Sequence, residues 1–236
     1  MSCRVEEVVI DNNVGIANNV VKSNFGSLTW LCMAIERTHQ PTERPYHHGN
    51  LRSALLDAAE RTVRERGVQE LSLRELAREI GVSHGAPRRH FPDRQALLDA
   101  LAESGFERLG AELRAAADRA GDEFEPRLEA TAAAYIRFAT ADPALLDLMF
   151  ASKQRTQPSL QDAMERAFSV LIELILQGQA IGRLQPGDPE RIGLVLFSTI
   201  QGIAALLTAG LIAPEQLDEL TTDAIANFLR GSRTGG

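Results

Sequence analysis

Hydrophobic positions recur at helical spacing just after residue 72 and predict a short amphipathic helix. The apolar residues that share its inner face are Leu73, Leu76, Ala77 and Ile80. Their spacing of i, i+3, i+4 and i+7 leaves charged residues on the opposite face. Ser72 and Glu75 have the spacing of a capping box, in which both side chains bond free N–H groups at a helix start. Gly81 favours the left-handed backbone that ends such a helix.

A second, shorter helix is predicted directly after this turn. Ser83 is the expected N-cap, Pro87 is tolerated close to the helix start, and the basic residues follow it. An amphipathic helix, a glycine-containing turn and a short basic helix form the unit that places its second helix in the major groove of DNA. The alternative is an ordinary helical hairpin of an enzyme. It is less favoured, because the charged side chains of Arg88, Arg89 and His90 would have no role in the core of such a hairpin.

The same periodicity predicts an all-α chain. One helix is expected from about Asn50 to a stop at Gly67, and a long helix is expected after an Asp93 cap. Further helices are predicted over residues 126–141, 144–152, 158–182, 190–210 and 214–230. The chain contains no internal repeat and no low-complexity tract.

Charge is distributed unevenly along the 236 residues, whose net charge is −7. Residues 41–98 contain ten Arg, eight acidic residues and four of the five His. Residues 99–236 contain twelve basic and twenty acidic residues. This asymmetry suits a part that faces DNA, attached to a part that does not.

Residues 1–43 differ from the rest and are predicted to be a poorly ordered N-terminal extension. Five of the seven Asn and both cysteines, Cys3 and Cys32, occur there. Two cysteines outside the folded body imply no disulfide framework, so a reducing compartment fits. No signal peptide is evident, and we expect a cytoplasmic protein.

Residues 46–113 resemble the DNA-binding domain of the TetR family of bacterial repressors. The resemblance rests on the two-helix unit with its G-V-S turn, the following R-H-F, a polar break and A-L-L. It implies a three-helix helix-turn-helix domain over residues 44–95 and a helical ligand-binding and dimerisation domain over residues 96–230. Residues 231–236 would then be a tail.

The resemblance also implies which residues meet DNA. The expected residues are Arg44, Ser72, Ser83, His84, Gly85, Arg88, Arg89, His90 and Arg94. Ser72, Arg88, His90 and Arg94 match positions that hold phosphates, whereas His84, Gly85 and Arg89 match positions near base edges. Arg88 stands where the family usually has Tyr. The charge of its guanidinium would therefore replace the contact that a tyrosine ring makes with a phosphate. Because Gly85 has no side chain to bond a base, direct readout falls on His84, with Arg89 and an arm at Arg44 as further candidates.

Residues 192–213 contain no charged residue, and the stretch is long enough to span a bilayer. Interspersed Gly, Ser, Thr and Gln lower the hydrophobicity, and no basic cluster flanks the stretch. We therefore expect no membrane span but a helix covered by a second subunit. The resemblance agrees, since TetR regulators pair through their last two helices. Phe197, Gln201 and Gly202 occupy the places of a W-x-x-x-H-G motif found in one subgroup, with only the Gly retained.

The sequence favours a regulator over an enzyme. It contains no phosphate-binding loop and no recognisable nucleophile motif, and we expect no cofactor. His47 and His48 could bind a metal, but adjacent histidines without a partner ligand are usually solvated. Two functions remain open, which are a ligand-responsive repressor with a cavity and an architectural DNA-binding dimer with a filled core. The repressor is favoured, and its effector is expected near Tyr135, Met149, Phe150, Phe168, Phe197 and Gln201.

Overall fold

The computed structural model describes residues 49–151 and 157–232. Over these residues the chain forms eight α-helices and no strand, which confirms the all-α prediction. The helices are α1 (Gly49–Arg66), α2 (Leu73–Glu79), α3 (Arg94–Arg119), α4 (Phe124–Ala141), α5 (Pro143–Phe150), α6 (Pro158–Ala180), α7 (Pro189–Thr208) and α8 (Leu217–Gly231). The predictions for residues 1–43, for Arg44 and for His47 and His48 lie outside the described residues, as do residues 233–236 of the tail.

The first two helices end where glycine was expected to end them. Gly67 follows α1 with φ +84°, and Gly81 follows α2 with φ +73°. Residues with a Cβ rarely adopt these values, so glycine suits both turns. After α2, the Val82 N–H donates to Ala77 O at 2.9 Å and completes the C-terminal cap. The start of α2 differs from the prediction, because Ser72 is the N-cap but its hydroxyl makes no capping hydrogen bond.

The second helix of the helix-turn-helix unit is shorter than predicted. Residues 82–83 have no regular secondary structure, residues 84–86 form a turn and a bend, and Pro87–Arg89 forms a single 3-10 turn in place of an α-helix. Ser83 does not cap it, because the N-cap position is Ala86 and no side chain caps the turn. Pro87 explains the change, since it lacks the N–H that an α-helix would direct to the Ser83 carbonyl. That carbonyl instead accepts from the Ala86 N–H at 2.9 Å.

Helix α3 connects the two ends of the molecule. Asp93 caps it as predicted, with its carboxylate accepting from the Ala96 N–H at 2.8 Å. Leu97 and Leu101 are buried against the N-terminal helices, and Leu109 and Leu113 are buried farther along the same helix. One continuous apolar core therefore runs across residue 95, the predicted domain boundary.

Helices α4 to α8 match the predicted order with shifted ends. Helix α4 begins at Phe124 and not at residue 126, because Phe124 is buried and Pro126 is acceptable in a first turn. Pro143 opens α5 after Asp142, whose side chain accepts from the Leu145 N–H at 3.1 Å. Residues 214–216 form a 3-10 turn, so α8 begins three residues later than expected.

Candidate DNA-binding surface and effector pocket

The turn after α2 presents two unpaired cations to solvent. Pro87 and Phe91 are buried and anchor this segment on the core, while Arg88 and Arg89 between them are exposed. Neither arginine forms an ion pair with another described residue. His84 and Gly85 are exposed at the preceding turn, beside the exposed Ser83, and His90 is partly buried. The expected DNA-contact residues after α2 therefore lie on one short exposed segment.

Two residues expected at phosphates have different surroundings. The Ser72 hydroxyl is partly exposed and makes no capping bond, so it remains available to an acceptor oxygen. The Arg94 guanidinium instead donates to two carbonyls, from Nε to Leu71 O at 2.9 Å and from Nη2 to Val68 O at 2.5 Å. Arg94 thus joins α3 to the segment before α2, a structural role that sequence spacing did not suggest.

Arg52 was not anticipated at this surface. It is exposed on α1, and its guanidinium carbon lies 5.4 Å from the centre of the Phe91 ring. This cation–π contact holds a positive charge beside the Arg88–Arg89 turn. No sequence signal linked residue 52 to residue 91, because the contact depends on how α1 packs on the segment after α2.

A second cluster of charges joins α1 to the C-terminal helices. Asp142 is buried at the junction of α4 and α5 and accepts from Arg64 Nε at 3.0 Å and Nη2 at 2.8 Å. Glu60, one turn earlier on α1, accepts from Arg64 and from Arg108 of α3. Since Asp142 also caps α5, one carboxylate fixes that helix to the DNA-binding part.

Five aromatic rings meet in the C-terminal part, each from a different helix. They are Phe106 of α3, Tyr135 of α4, Phe150 of α5, Phe168 of α6 and Phe197 of α7. The distances between ring centres in contact run from 5.1 to 6.5 Å. We call these residues the aromatic cluster. Four of its members were predicted effector residues, and Phe106 was missed because it follows the general apolar pattern of α3.

The two remaining predicted effector residues, Gln201 and Met149, are not part of the aromatic cluster and make different contacts. Gln201 of α7 accepts a hydrogen bond from the Tyr135 hydroxyl through Oε1. Tyr135 is 1% exposed, and burial raises the pKa of its hydroxyl far above the ordinary value, so the group stays neutral. Met149 packs on Gly105 of α3, where an added Cβ would lie 2.7 Å from its Sδ.

The space beside the aromatic cluster is small. A cavity of about 10 Å³ lies there, lined by Tyr135, Phe168, Phe197 and Thr131 with aliphatic side chains of α3, α4, α6 and α7. This volume holds about one water molecule. The core at this point is therefore nearly filled, and an effector would have to displace a side chain.

Helix α7 has an apolar face that the described residues do not cover. It is long and apolar enough to cross a membrane by length and composition, but only 28% of its most apolar window is buried. Val195 is 58% exposed and Leu206 is 42% exposed, and Leu211 just after the helix is 74% exposed. Exposed Ser198 and Thr199 interrupt this face and bond to carbonyls of the same helix.

Comparison with known proteins agrees with this arrangement. Residues 55–101 match the family model for bacterial regulatory proteins of the tetR family, and residues 128–228 match that for the tetracyclin repressor-like C-terminal domain. The transcriptional regulator TtgR of Pseudomonas putida is 26% identical over 72% of this chain and 84% of its own. The transcriptional repressor Rv1474c of Mycobacterium tuberculosis is 40% identical over 65 residues, which are 28% of this chain and 35% of that protein.

A solved structure from Rhodococcus sp. RHA1, of a protein with unknown function, is 46% identical. It covers 81% of this chain and 100% of its own, with a TM-score of 0.74. The two family matches fall on the DNA-binding part and on the helices that hold the aromatic cluster. The subgroup suggested by W-x-x-x-H-G stays a prediction. The chain belongs to the TetR family of transcriptional regulators.

Proposed function

We propose that this protein is a ligand-responsive repressor that acts in the cytoplasm as a homodimer. In the absence of effector it binds operator DNA, and a small molecule bound in the C-terminal domain causes release. The observation that supports this most directly is the Arg64–Asp142 contact, because it connects the DNA-binding helix α1 to α5, whose last residue belongs to the aromatic cluster. A change at the cluster can therefore shift the part that meets DNA.

DNA contact is assigned to the exposed segment after α2. Arg88 neutralises a backbone phosphate. Further phosphate contacts come from His90 and from the Ser72 hydroxyl, which makes no capping hydrogen bond in α2. His84 is the candidate for a base edge, with Arg89 beside it. Arg52 is added as a phosphate contact because it is exposed next to Phe91. Arg94 supports the segment with two of its five N–H donors, and the remaining donors are assigned to the predicted phosphate contact.

A second copy of the chain is proposed to cover the apolar face of α7. The face includes Val195, Leu206 and Leu211, which are large apolar side chains left exposed by one subunit. Pairing through α7 and α8 would bury them and place two copies of the Arg88–Arg89 turn on one side of the dimer. A two-fold dimer of this kind binds two half-sites in successive major grooves.

Sequencing of the genomic fragments retained by the purified protein tests the proposal. A repressor is expected to enrich a few fragments that share a two-fold symmetric sequence. An architectural DNA-binding dimer, the alternative function, would retain fragments broadly across the genome. Broad retention would reject the repressor, and enrichment that no small molecule reverses would reject its ligand response.

A further inference from the structure

The aromatic cluster indicates which chemical class of effector this protein binds, and the inference rests on the proposed function. Aromatic residues make up only 5% of the chain. Five of them nevertheless meet at one point, one from each of α3 to α7, in edge-to-face and tilted contacts. Edges and faces of this kind also favour a sixth flat ring in the same place.

The walls of the cluster exclude charge. The described residues that line the adjoining cavity are apolar except for Thr131 and Tyr135, and none is ionised. The Thr131 hydroxyl is already bonded to the Arg127 carbonyl. A carboxylate or ammonium group in this place would lose its hydration without gaining a partner of opposite charge among the residues that line the cavity. An effector that enters the cluster must therefore be uncharged.

One polar pair remains for a ligand to recognise. The Tyr135 hydroxyl donates to Gln201 Oε1, which leaves the acceptor lone pairs of the hydroxyl and the amide N–H groups of Gln201. Gln201 is only partly buried, so its amide can turn without a backbone change. A hydroxyl or carbonyl group on an otherwise apolar molecule can join this pair.

The cluster has one displaceable wall. Helices α3 and α6 form a closely packed wall, because Gly110 lies so near α6 that an added Cβ would be 2.9 Å from Ala167 Cα. Phe150 differs from the other four rings. It is only partly buried, and it is the last residue of the short helix α5. Outward rotation of this side chain would open the filled space without moving the closely packed wall.

We propose that the effector is an uncharged, flat and largely apolar molecule with one hydrogen-bonding group, whose ring takes the place of Phe150 against Phe106, Phe168 and Phe197. Its polar group joins the Tyr135–Gln201 pair. Because Phe150 ends the helix that Asp142 begins, its displacement acts on the same helix that contacts Arg64.

Three probes of one ring system test this class on the full chain by calorimetry. 1-Naphthol has a hydroxyl group, naphthalene has no polar group, and 1-naphthoate has a charged carboxylate. Wild type is expected to bind 1-naphthol and naphthalene but not 1-naphthoate. Phe150→Ala should bind the two neutral probes about tenfold to a hundredfold more tightly, because no ring has to leave. Tyr135→Phe should lower the affinity for 1-naphthol by up to about tenfold and leave that for naphthalene unchanged.

Phe228→Ala is the matched control, since Phe228 is a partly buried ring on α8 outside the cluster. It should leave all three affinities unchanged. Phe150→Leu replaces Phe150→Ala if the latter loses its helical circular dichroism. The proposed class is overturned if 1-naphthoate binds as tightly as 1-naphthol. It is also overturned if wild type binds neither neutral probe while Phe150→Ala binds both, since the site would then be only an engineered cavity.

DNA binding is measured separately, so that the two proposals fail in different ways. Neutral probes that bind in the predicted order but never release operator DNA support the ligand class and reject the ligand-responsive repressor. Operator DNA that is released only by charged molecules supports the repressor and rejects the class proposed here.

Discussion

We expect Arg88 to set how strongly DNA binding depends on salt concentration. It is exposed on the 3-10 turn and forms no ion pair with another described residue, and it stands where the resemblance to the family leads us to expect a tyrosine. A guanidinium at a phosphate displaces a counterion, whereas a tyrosine hydroxyl contributes one hydrogen bond without charge. Arg88→Tyr should therefore lower the slope of log affinity against log salt by about one unit per subunit. Titration of operator and random duplexes at several salt concentrations measures this slope.

His84→Ala is the matched comparison on the same exposed segment. If His84 meets a base edge, this variant should lose roughly 1 to 3 kcal/mol on operator DNA and little on random DNA. Arg88→Tyr should lower the affinity for operator DNA and for random DNA about equally, because backbone phosphates are the same whatever the base sequence. If Arg88→Tyr changed sequence preference and kept the salt slope, the roles of these two residues would be reversed.

Tyr135 should not ionise until the protein unfolds. Burial raises the pKa of its hydroxyl above the ordinary value of about 10. The unfolded chain then loses this proton at lower pH than the folded chain, so stability is full below about pH 10 and falls as pH rises further. The chain has two tyrosines, so in Tyr46→Phe the tyrosinate absorbance reports Tyr135 alone. The absorbance is expected to rise only together with loss of helical circular dichroism.

Tyr46→Phe/Tyr135→Phe is the control for that titration. Its free energy of unfolding should fall less steeply above pH 10 than that of Tyr46→Phe. A Tyr135 absorbance change near pH 10 with unchanged circular dichroism would show that the hydroxyl reaches solvent, and the buried pair with Gln201 would then be wrong.

Sequence patterns predicted some individual residues well and others not at all. Gly67, Gly81 and Asp93 were predictable because their roles depend on local backbone geometry. Arg94 was not, since its acceptors Leu71 and Val68 are more than twenty residues away along the chain. Contacts of this kind depend on how helices pack, which the spacing of apolar residues within one helix does not determine.

At the scale of elements, the junction between α1 and α5 depends on Asp142. This carboxylate caps α5 through the Leu145 N–H and accepts two hydrogen bonds from Arg64. Arg64→Ala removes the ion pairs with Asp142 and Glu60 but keeps the cap, and because the Arg64 side chain is 51% exposed the loss should be about 1 kcal/mol of unfolding free energy. Asp142→Ala also removes the cap, so its loss should be about 1 to 2 kcal/mol. Urea unfolding of the two variants gives the difference.

Asp142→Asn separates the two functions of this carboxylate. An asparagine can still cap α5, but it carries no charge for Arg64. Its unfolding free energy should therefore resemble that of Arg64→Ala more than that of Asp142→Ala. Equal losses in Arg64→Ala and Asp142→Ala would mean that the cap contributes nothing, contrary to the observed geometry.

The order of helices was predictable because most of them have strong apolar periodicity and clear stops. The helix-turn-helix segment was less predictable, since a 3-10 turn and a short α-helix have similar spacing of capping and basic residues. Pro87 decided between them by removing one backbone donor. The boundary between the two parts was also difficult to see, because α3 begins there and its buried leucines belong to the same core as the buried residues of α1.

At the scale of the whole molecule, the division of charge follows the division between the two family matches, residues 55–101 and residues 128–228. The segment richer in Arg contains the helix-turn-helix part, and the acidic remainder holds the aromatic cluster. Sequence could predict the aromatic residues Tyr135, Phe150, Phe168 and Phe197 as inward-facing but could not show whether they enclosed a space. The structure contains a cavity of only about 10 Å³ beside these rings, because the side chains fill the volume between helices. Free space depends on packing in three dimensions, which has no counterpart in one-dimensional spacing.

Assembly is the property of the whole molecule that we expect α7 to determine. Leu206 is 42% exposed on the apolar face that we assign to the dimer interface. Leu206→Asp would bury an unpaired carboxylate there, and two-fold symmetry would bury it twice. The variant should therefore be a monomer in sedimentation equilibrium with unchanged helical circular dichroism. Its operator affinity should also fall, because one subunit reaches a single half-site.

Leu176→Asp provides the matched control for this experiment. Leu176 is 50% exposed on α6, so it resembles Leu206 in residue type and exposure but lies on a different helix. It should remain a dimer, because a carboxylate that stays in water costs little. If Leu176→Asp dissociated and Leu206→Asp did not, the subunits would pair through α6, and the exposed face of α7 would need another partner. If both variants remained dimeric, neither helix would form the interface, and the two copies of the Arg88–Arg89 turn would have to be brought together by different elements.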